Sequence, residues 1–99
     1  YSYLTAFFSL LYSTGLNVIT EDNTSKGRID ITVIVNDIVY IFEFKLIENK
    51  KEKGKALKQI KQKEYHKKYL NYPKIYLIGI EFNKSKKNIA NFEFELLNR

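Results

Sequence analysis

Two β-prone runs, GRIDITVIV at 27–35 and IVYIFEFKL at 38–46, stand on either side of Asn36-Asp37, and they constrain the fold more than any other part of the chain. An Asn-Asp pair between two such runs reads as a tight hairpin turn. The turn fixes the register: Val35 faces Ile38 and, by continuation, Asp30 faces Glu43 and Arg28 faces Lys45. Side chains alternate between the two faces of a strand. One face then carries Ile29, Ile31, Val33 and Val35 with Ile38, Tyr40, Phe42, Phe44 and Leu46, an unbroken core face. The other carries Thr32, Ile34, Val39 and Ile41 near the turn and Arg28, Asp30, Glu43 and Lys45 at the far end.

All four charged residues of the hairpin strands thus gather on one face at one end. Like charges opposed across a strand pair are destabilising. At about 5 Å and an effective dielectric near 20, two carboxylates repel by about 3 kcal/mol. A chain keeps such a pair where something positive lies between them. Mg²⁺ fits, being a hard cation usually held by one or two carboxylates together with waters and phosphate oxygens. The competing reading is a solvated face whose alternating charges simply pair. The apolar residues nearer the turn favour a covered face with the charges at its margin.

The remaining chain supplies the other elements. Residues 1–14, YSYLTAFFSLLYST, read as a largely buried helix with a narrow Ser/Thr stripe, and Gly15 is a natural stop. A short strand follows over 16–21, then a turn-rich loop, DNTSKG. Beyond the hairpin, ALKQIKQKEYHKKYL reads as a helix with Ala56, Leu57 and Ile60 inward and Tyr65 and Tyr69 on a flank. KIYLIGIEF, at 74–82, is the near-continuous apolar run of a strand covered on both sides. NFEFELL alternates as a one-sided edge strand. The order is α-β-β-β-α-β-β, and the one helical crossover implies a parallel pair in a mixed sheet.

Composition limits the chemistry. The chain has 99 residues, which suits a single domain over 1–99. With no Cys and one His, thiol nucleophiles, zinc knuckles and Ser-His-Asp triads drop out. A net charge of +6 favours an anionic partner, nucleic acid before an acidic membrane. No apolar run is long enough to span a bilayer. The opening segment lacks the marks of a signal peptide. A cytoplasmic location is expected, and the start at Tyr suggests a fragment of a longer protein, although a processed chain would look the same. From Glu48 to Lys68 there are nine Lys against three Glu. That segment is a phosphate-binding face, with Lys55, Lys58 and Lys61 as its contacts, or an ordinary solvated surface. His66 belongs with solvent, and Tyr65 and Tyr69 with packing.

"GRID" on one strand and "FEFK" on the next resemble the two halves of the PD-(D/E)XK nuclease signature. More narrowly, the stretch from GRIDITVIVNDIVYIFEFKL through ALKQIKQKEYHKKYL to KIYLIGIEF is similar to nuclease-like domains that follow AAA-ATPase-like regions in bacterial proteins. The resemblance implies a restriction-endonuclease-like core, a mixed five-stranded sheet flanked by helices. It implies Asp30 and Glu43 as ligands of Mg²⁺ or Mn²⁺, joined by the Phe44 carbonyl, with Lys45 as the catalytic lysine. Gln59 takes a supporting role. Arg28 holds a phosphate or pairs with a neighbouring carboxylate. Ile29 replaces the signature's proline, and residues 1–14 lack the acid that many active members carry on the first helix.

The expected function is metal-dependent hydrolysis of nucleic acid, DNA in particular. Two alternatives stand beside it. One is a nuclease-fold module that binds nucleic acid without cutting; the other is an interaction domain serving an attached ATPase.

Overall fold

The computed structural model describes residues 2–98. Its elements in chain order are α1 (Ser2–Ser13), β1 (Asn17–Thr24), β2 (Gly27–Val35), β3 (Ile38–Ile47), α2 (Lys55–Gln62), β4 (Lys74–Asn83) and β5 (Asn88–Asn98). Single 3-10 turns at Lys50–Glu52 and Tyr65–Tyr69 flank α2. The first helix was expected from Tyr1, which lies outside the described residues. The five strands form one mixed sheet in the order β1-β2-β3-β4-β5. Only β3 and β4 run parallel, and α2 lies in the connection between them.

The central hairpin takes the expected register. Asn36, in left-handed backbone at φ 54, makes the turn, and the ladder runs from Val35↔Ile38 to Ile31↔Phe42. There it stops, before the expected Asp30–Glu43 pair. On the other side of β2, partners run from Asn17↔Ile34 to Thr24↔Gly27, with Glu21 and Asp30 left out of the register. Glu21 sits in left-handed backbone at φ 50.

The outcome is a change of face. Val18 and Ile31 pack against α1, whereas Asp22 and Ile29 drop onto the opposite side, under Tyr69 and Tyr65. Ile29 therefore leaves the face that strict alternation assigns it. Asp22, expected in a loop, belongs to β1 and is buried. Its carboxylate takes hydrogen bonds from Thr32 Oγ1 at 2.7 Å and from the Tyr69 hydroxyl, and pairs with Lys68.

Each sheet face carries its own core. Leu4, Phe7, Phe8 and Leu11 of α1 cover Ile31, Val33, Phe44, Ile78 and Ile80. The helix is one-sided rather than largely buried, for Leu10 and Tyr12 are each about two-thirds exposed. It ends as expected at Gly15, φ 78, whose N–H bonds the Tyr12 carbonyl at 3.2 Å. Phe92 and Phe94 of the edge strand β5 stay exposed. Leu46, also assigned to the core face, is 39% exposed at the sheet's end. No described helix is long and apolar enough to cross a membrane.

On the other face Val39, Ile41, Ile75 and Leu77 meet Ile60, Tyr65 and Tyr69. The expected long helix is cut at Gln62, because Glu64 turns into left-handed backbone at φ 52. The break rotates both tyrosines from a flank into the core.

Two residues of β4 seat α2. At Gly79 a Cβ would lie 2.5 Å from the Leu57 backbone nitrogen and 3.1 Å from Ala56 Cβ, so the helix rests directly on the strand. Two residues on, the buried Glu81 carboxylate accepts the Gly54 and Ala56 N–H groups at 2.9 and 2.8 Å. It thereby caps a helix start that has no side-chain cap of its own.

Replacing Gly79 with Ala must lift α2 off the sheet or bend the strand. The expected loss is about 1–3 kcal/mol of stability, the usual range for overpacking a tight contact. Urea unfolding of the Gly79→Ala variant checks this, and an unchanged midpoint would refute the close contact.

Candidate active site

The site is built where β2 parts from β3. Once the ladder has ended, the Phe44 N–H needs another acceptor. It finds the Asp30 side chain, donating to Oδ2 at 2.8 Å. Asp30 is thereby held beside β3 by a backbone group rather than by a mobile partner. Glu43, the residue before, points to the α2 face and is 4% exposed.

Helix α2 completes the group. Its seat on Gly79 brings Gln59 over β3, where Gln59 Nε2 donates to Glu43 Oε2 at 3.0 Å. The Gln59 Oε1 atom in turn accepts from Lys45 Nζ. Lys45 Nζ lies 4.0 Å from Glu43 Oε2, with about a third of the lysine side chain reaching solvent. Gln59 is thus a bridge between the acid and the amine. The Tyr65 hydroxyl interacts with Gln59 and with the Arg28 backbone, and stands near both carboxyls.

Burial dominates the electrostatics. Desolvation pushes the Glu43 carboxyl up to about 8, with the nearby Asp30 charge adding to the rise and Lys45 opposing it. Desolvation also raises Asp30, against the Phe44 N–H bond that favours its charged form. Glu43 Oε1 is buried and receives no hydrogen bond. A proton on Glu43, shared with Asp30, relieves both the repulsion and the orphaned oxygen. A cation between them does the same.

The donor set fits a hard divalent ion. Two carboxylates meet, one with an unused, buried oxygen, and such ions are commonly held by one or two carboxylates plus waters. Among the described residues no group of three or more His, Cys, Asp or Glu side chains forms a larger cage. Glu21 is the acid that shares a cavity wall with Asp30. That cavity, about 490 Å³ between α1 and the β1–β2 pair, is also lined by Thr5, Phe8 and Arg28. Glu21 points to solvent and pairs with Arg28 at 3.2 Å.

Of the residues singled out in the sequence, the structure brings Asp30, Glu43, Lys45 and Gln59 together. Arg28 is drawn away to Glu21. Lys61 is engaged by Glu95 of β5 at 2.9 Å, while Lys55 and Lys58 are exposed. Tyr65, read as packing, proves to touch the bridge as well. Gly79 and Glu81 went unnoticed, although a lone Glu within an apolar strand signals a polar partner in the core.

Comparison with known proteins places the fold in a family. A family model described as the PD-(D/E)XK nuclease superfamily matches residues 2–92. A protein of Azotobacter chroococcum mcd 1, described as an uncharacterized protein in the vnfD 5' region, is 43% identical over 96 residues. The alignment covers 96% of this chain but only 18% of that relative's length. The family match runs through the hairpin, the crossover helix and β4, and by it this chain belongs to the PD-(D/E)XK nuclease superfamily.

Proposed function

We infer that the domain is a metal-dependent nuclease that hydrolyses phosphodiester bonds of nucleic acid, with DNA as its substrate. The observation that carries this reading is the Glu43 carboxyl: buried, set against Asp30, with one oxygen unpartnered and the other bridged through Gln59 to Lys45. A hard cation between the two carboxyls would take up that oxygen and offset their repulsion.

Asp30 and Glu43 would hold Mg²⁺ or Mn²⁺, with the Phe44 carbonyl as a further oxygen donor. A divalent ion bound there supplies a water of lowered pKa and neutralises charge on the scissile phosphate. The chain's own groups do the rest. The Phe44 N–H fixes Asp30. Gln59 keeps Glu43 and Lys45 at a set spacing. Lys45, at the edge of the site, turns a cation toward the negative charge that grows on the phosphate in the transition state.

A cytoplasmic, cysteine-free domain within a longer protein is part of the same reading. The place within a longer protein is supported by the small share of the relative that the chain matches and by the resemblance to domains attached to ATPase-like regions.

Metal binding should depend on pH in a defined sense. Glu43 must lose its proton to bind, and its folded pKa stands near 8. Mn²⁺ affinity should therefore rise about tenfold per pH unit up to about 8 and then level off. The metal-free protein behaves oppositely. Because the folded pKa lies above the unfolded one, Glu43's contribution to stability is complete at acid pH and is lost as pH rises through about 8. Glu43→Gln and Asp30→Asn should each abolish Mn²⁺ binding in calorimetry. Glu43→Gln should also melt no lower than wild type at pH 8 in EDTA. Unchanged Mn²⁺ affinity in both variants would remove the proposed site.

Lys45→Ala should lower the rate of Mg²⁺-dependent DNA cleavage by roughly a hundredfold or more, a size typical of losing one preorganised transition-state contact. Metal and DNA affinity should stay within about twofold, since the contact is made mainly in the transition state. A melting curve run beside the cleavage assay separates this from a structural role, in which stability falls and turnover persists. Wild-type protein that binds DNA and never cuts it would instead make the domain a non-catalytic binding module.

A further inference from the structure

Beyond Lys45, the end of the sheet carries cations that the site above does not use. Strands β3 and β4 finish side by side, with Lys45 beside Glu81 and Ile47 beside Asn83. The Lys84 N–H ties the next loop to the Ile47 carbonyl at 2.9 Å. Two loops leave this end together, residues 48–54 after β3 and 84–87 after β4, and between them they contain six Lys and two Glu. They enclose a groove of about 410 Å³ whose wall includes Asn49, Lys53, Asn83, Lys86 and Asn88, with Glu48 as its one acid.

The lining is rich in donors. Asn49 Oδ1 accepts the Lys51 N–H at 3.0 Å, and Asn83 Oδ1 accepts the Lys86 N–H at 2.7 Å. With those oxygens occupied, each amide keeps its NH₂ group for a ligand. Glu52 is turned onto the loop's own backbone, accepting the Glu48 and Asn49 N–H groups at 2.8 and 3.3 Å. Lys53 and Lys86 form no ion pair among the described residues. By contrast Lys26 and Lys67 are held by Glu64, Lys61 by Glu95 and Lys68 by Asp22. Free ammonium groups and outward amide donors, fixed on two short loops, match a phosphodiester oxygen.

We propose that this groove is a second phosphate subsite, which grips the DNA backbone to one side of the scissile phosphate and sets the strand's register over Asp30 and Glu43. The inference rests on the nuclease reading and deepens it. Ile47 follows Lys45 on the same face, so the groove begins about 7 Å further along β3. That is about two nucleotide steps at roughly 3.4 Å of rise each. The backbone contacts are thereby assigned to the sheet's end rather than to the outer side of α2.

The test is fluorescence anisotropy with a labelled duplex DNA of mixed sequence, in Ca²⁺, over a range of salt. Lys53→Ala/Lys86→Ala should bind about tenfold more weakly near 0.1 M salt, and the slope of log affinity against log salt should fall by about two. Its melting temperature should match wild type. Lys55→Ala/Lys58→Ala, on α2, should change affinity less than about twofold. Wild-type affinity in the loop variant, or loss confined to the α2 variant, would overturn the subsite. A wild-type chain that neither binds duplex in Ca²⁺ nor cuts it in Mg²⁺ would overturn the nuclease reading itself, and this inference with it.

Discussion

Glu81 holds the start of α2 against the sheet, and the geometry of the candidate site depends on that hold. The helix is only eight residues long, too short to persist on propensity alone. A buried carboxylate accepting two of its first backbone N–H groups satisfies donors that would otherwise be stranded in the core, and its charge suits the positive end of the helix. Asn91 of β5 steadies the same carboxylate with a 2.8 Å hydrogen bond. Gly79, one turn of the pleat earlier, lets the backbone of α2 come down onto β4. From that seat Gln59 reaches β3 and meets Glu43. The bridge between acid and amine is thus set by a strand that contributes no residue to it.

The second determinant is a local failure of the sheet. Glu21 and Asp30 drop out of register together, and β2 turns away from β3 at the same point. A continuous ladder would satisfy the Phe44 N–H from the β2 backbone and leave Asp30 free to swing. The break gives that N–H to the Asp30 carboxylate, which is then fixed near Glu43. It also sends Asp22 and Ile29 to the α2 face, where Thr32, Tyr69 and Lys68 take up the charge of Asp22. Irregular strand pairing beside a site is a familiar way to re-aim a side chain. Here one irregularity positions Asp30 and buries a second carboxylate in a satisfied network.

Much of this was legible in the sequence because the hairpin states it twice. Its turn fixes the register, and its alternation sorts Glu43 and Lys45 away from the apolar positions of β3. The parallel β3–β4 pair followed from the helical crossover. What escaped depends on contacts between distant segments. The face change at Glu21 and Asp30 leaves no trace in periodicity, and it moved Ile29 to the other core. The break at Glu64 interrupts a pattern that reads as helical throughout, so Tyr65 and Tyr69 came out on a flank instead of in the core. The breadth of α1's apolar surface suggested full burial, but α1 has only one sheet face to meet, and Leu10 and Tyr12 remain outside.

The lysines show why composition alone does not locate an interface. Seventeen basic residues against eleven acidic ones give one net charge whatever the fold does with them. The fold spends the acids unevenly. Glu64, Glu95 and Asp22 engage Lys26, Lys67, Lys61 and Lys68, all on the α2 side of the molecule or at the β1–β2 turn. Glu81 and Glu43 are buried, and Glu52 is folded back onto the backbone. Among the described residues the cations left without acids include Lys53 and Lys86, in the loops that follow β3 and β4 at the same end of the sheet as Lys45. Cations at that end would favour the approach of a polyanion to the carboxylates, which would repel it on their own. Which lysines keep their charge free for a ligand is therefore set by the fold's placement of the acids and not by the net charge.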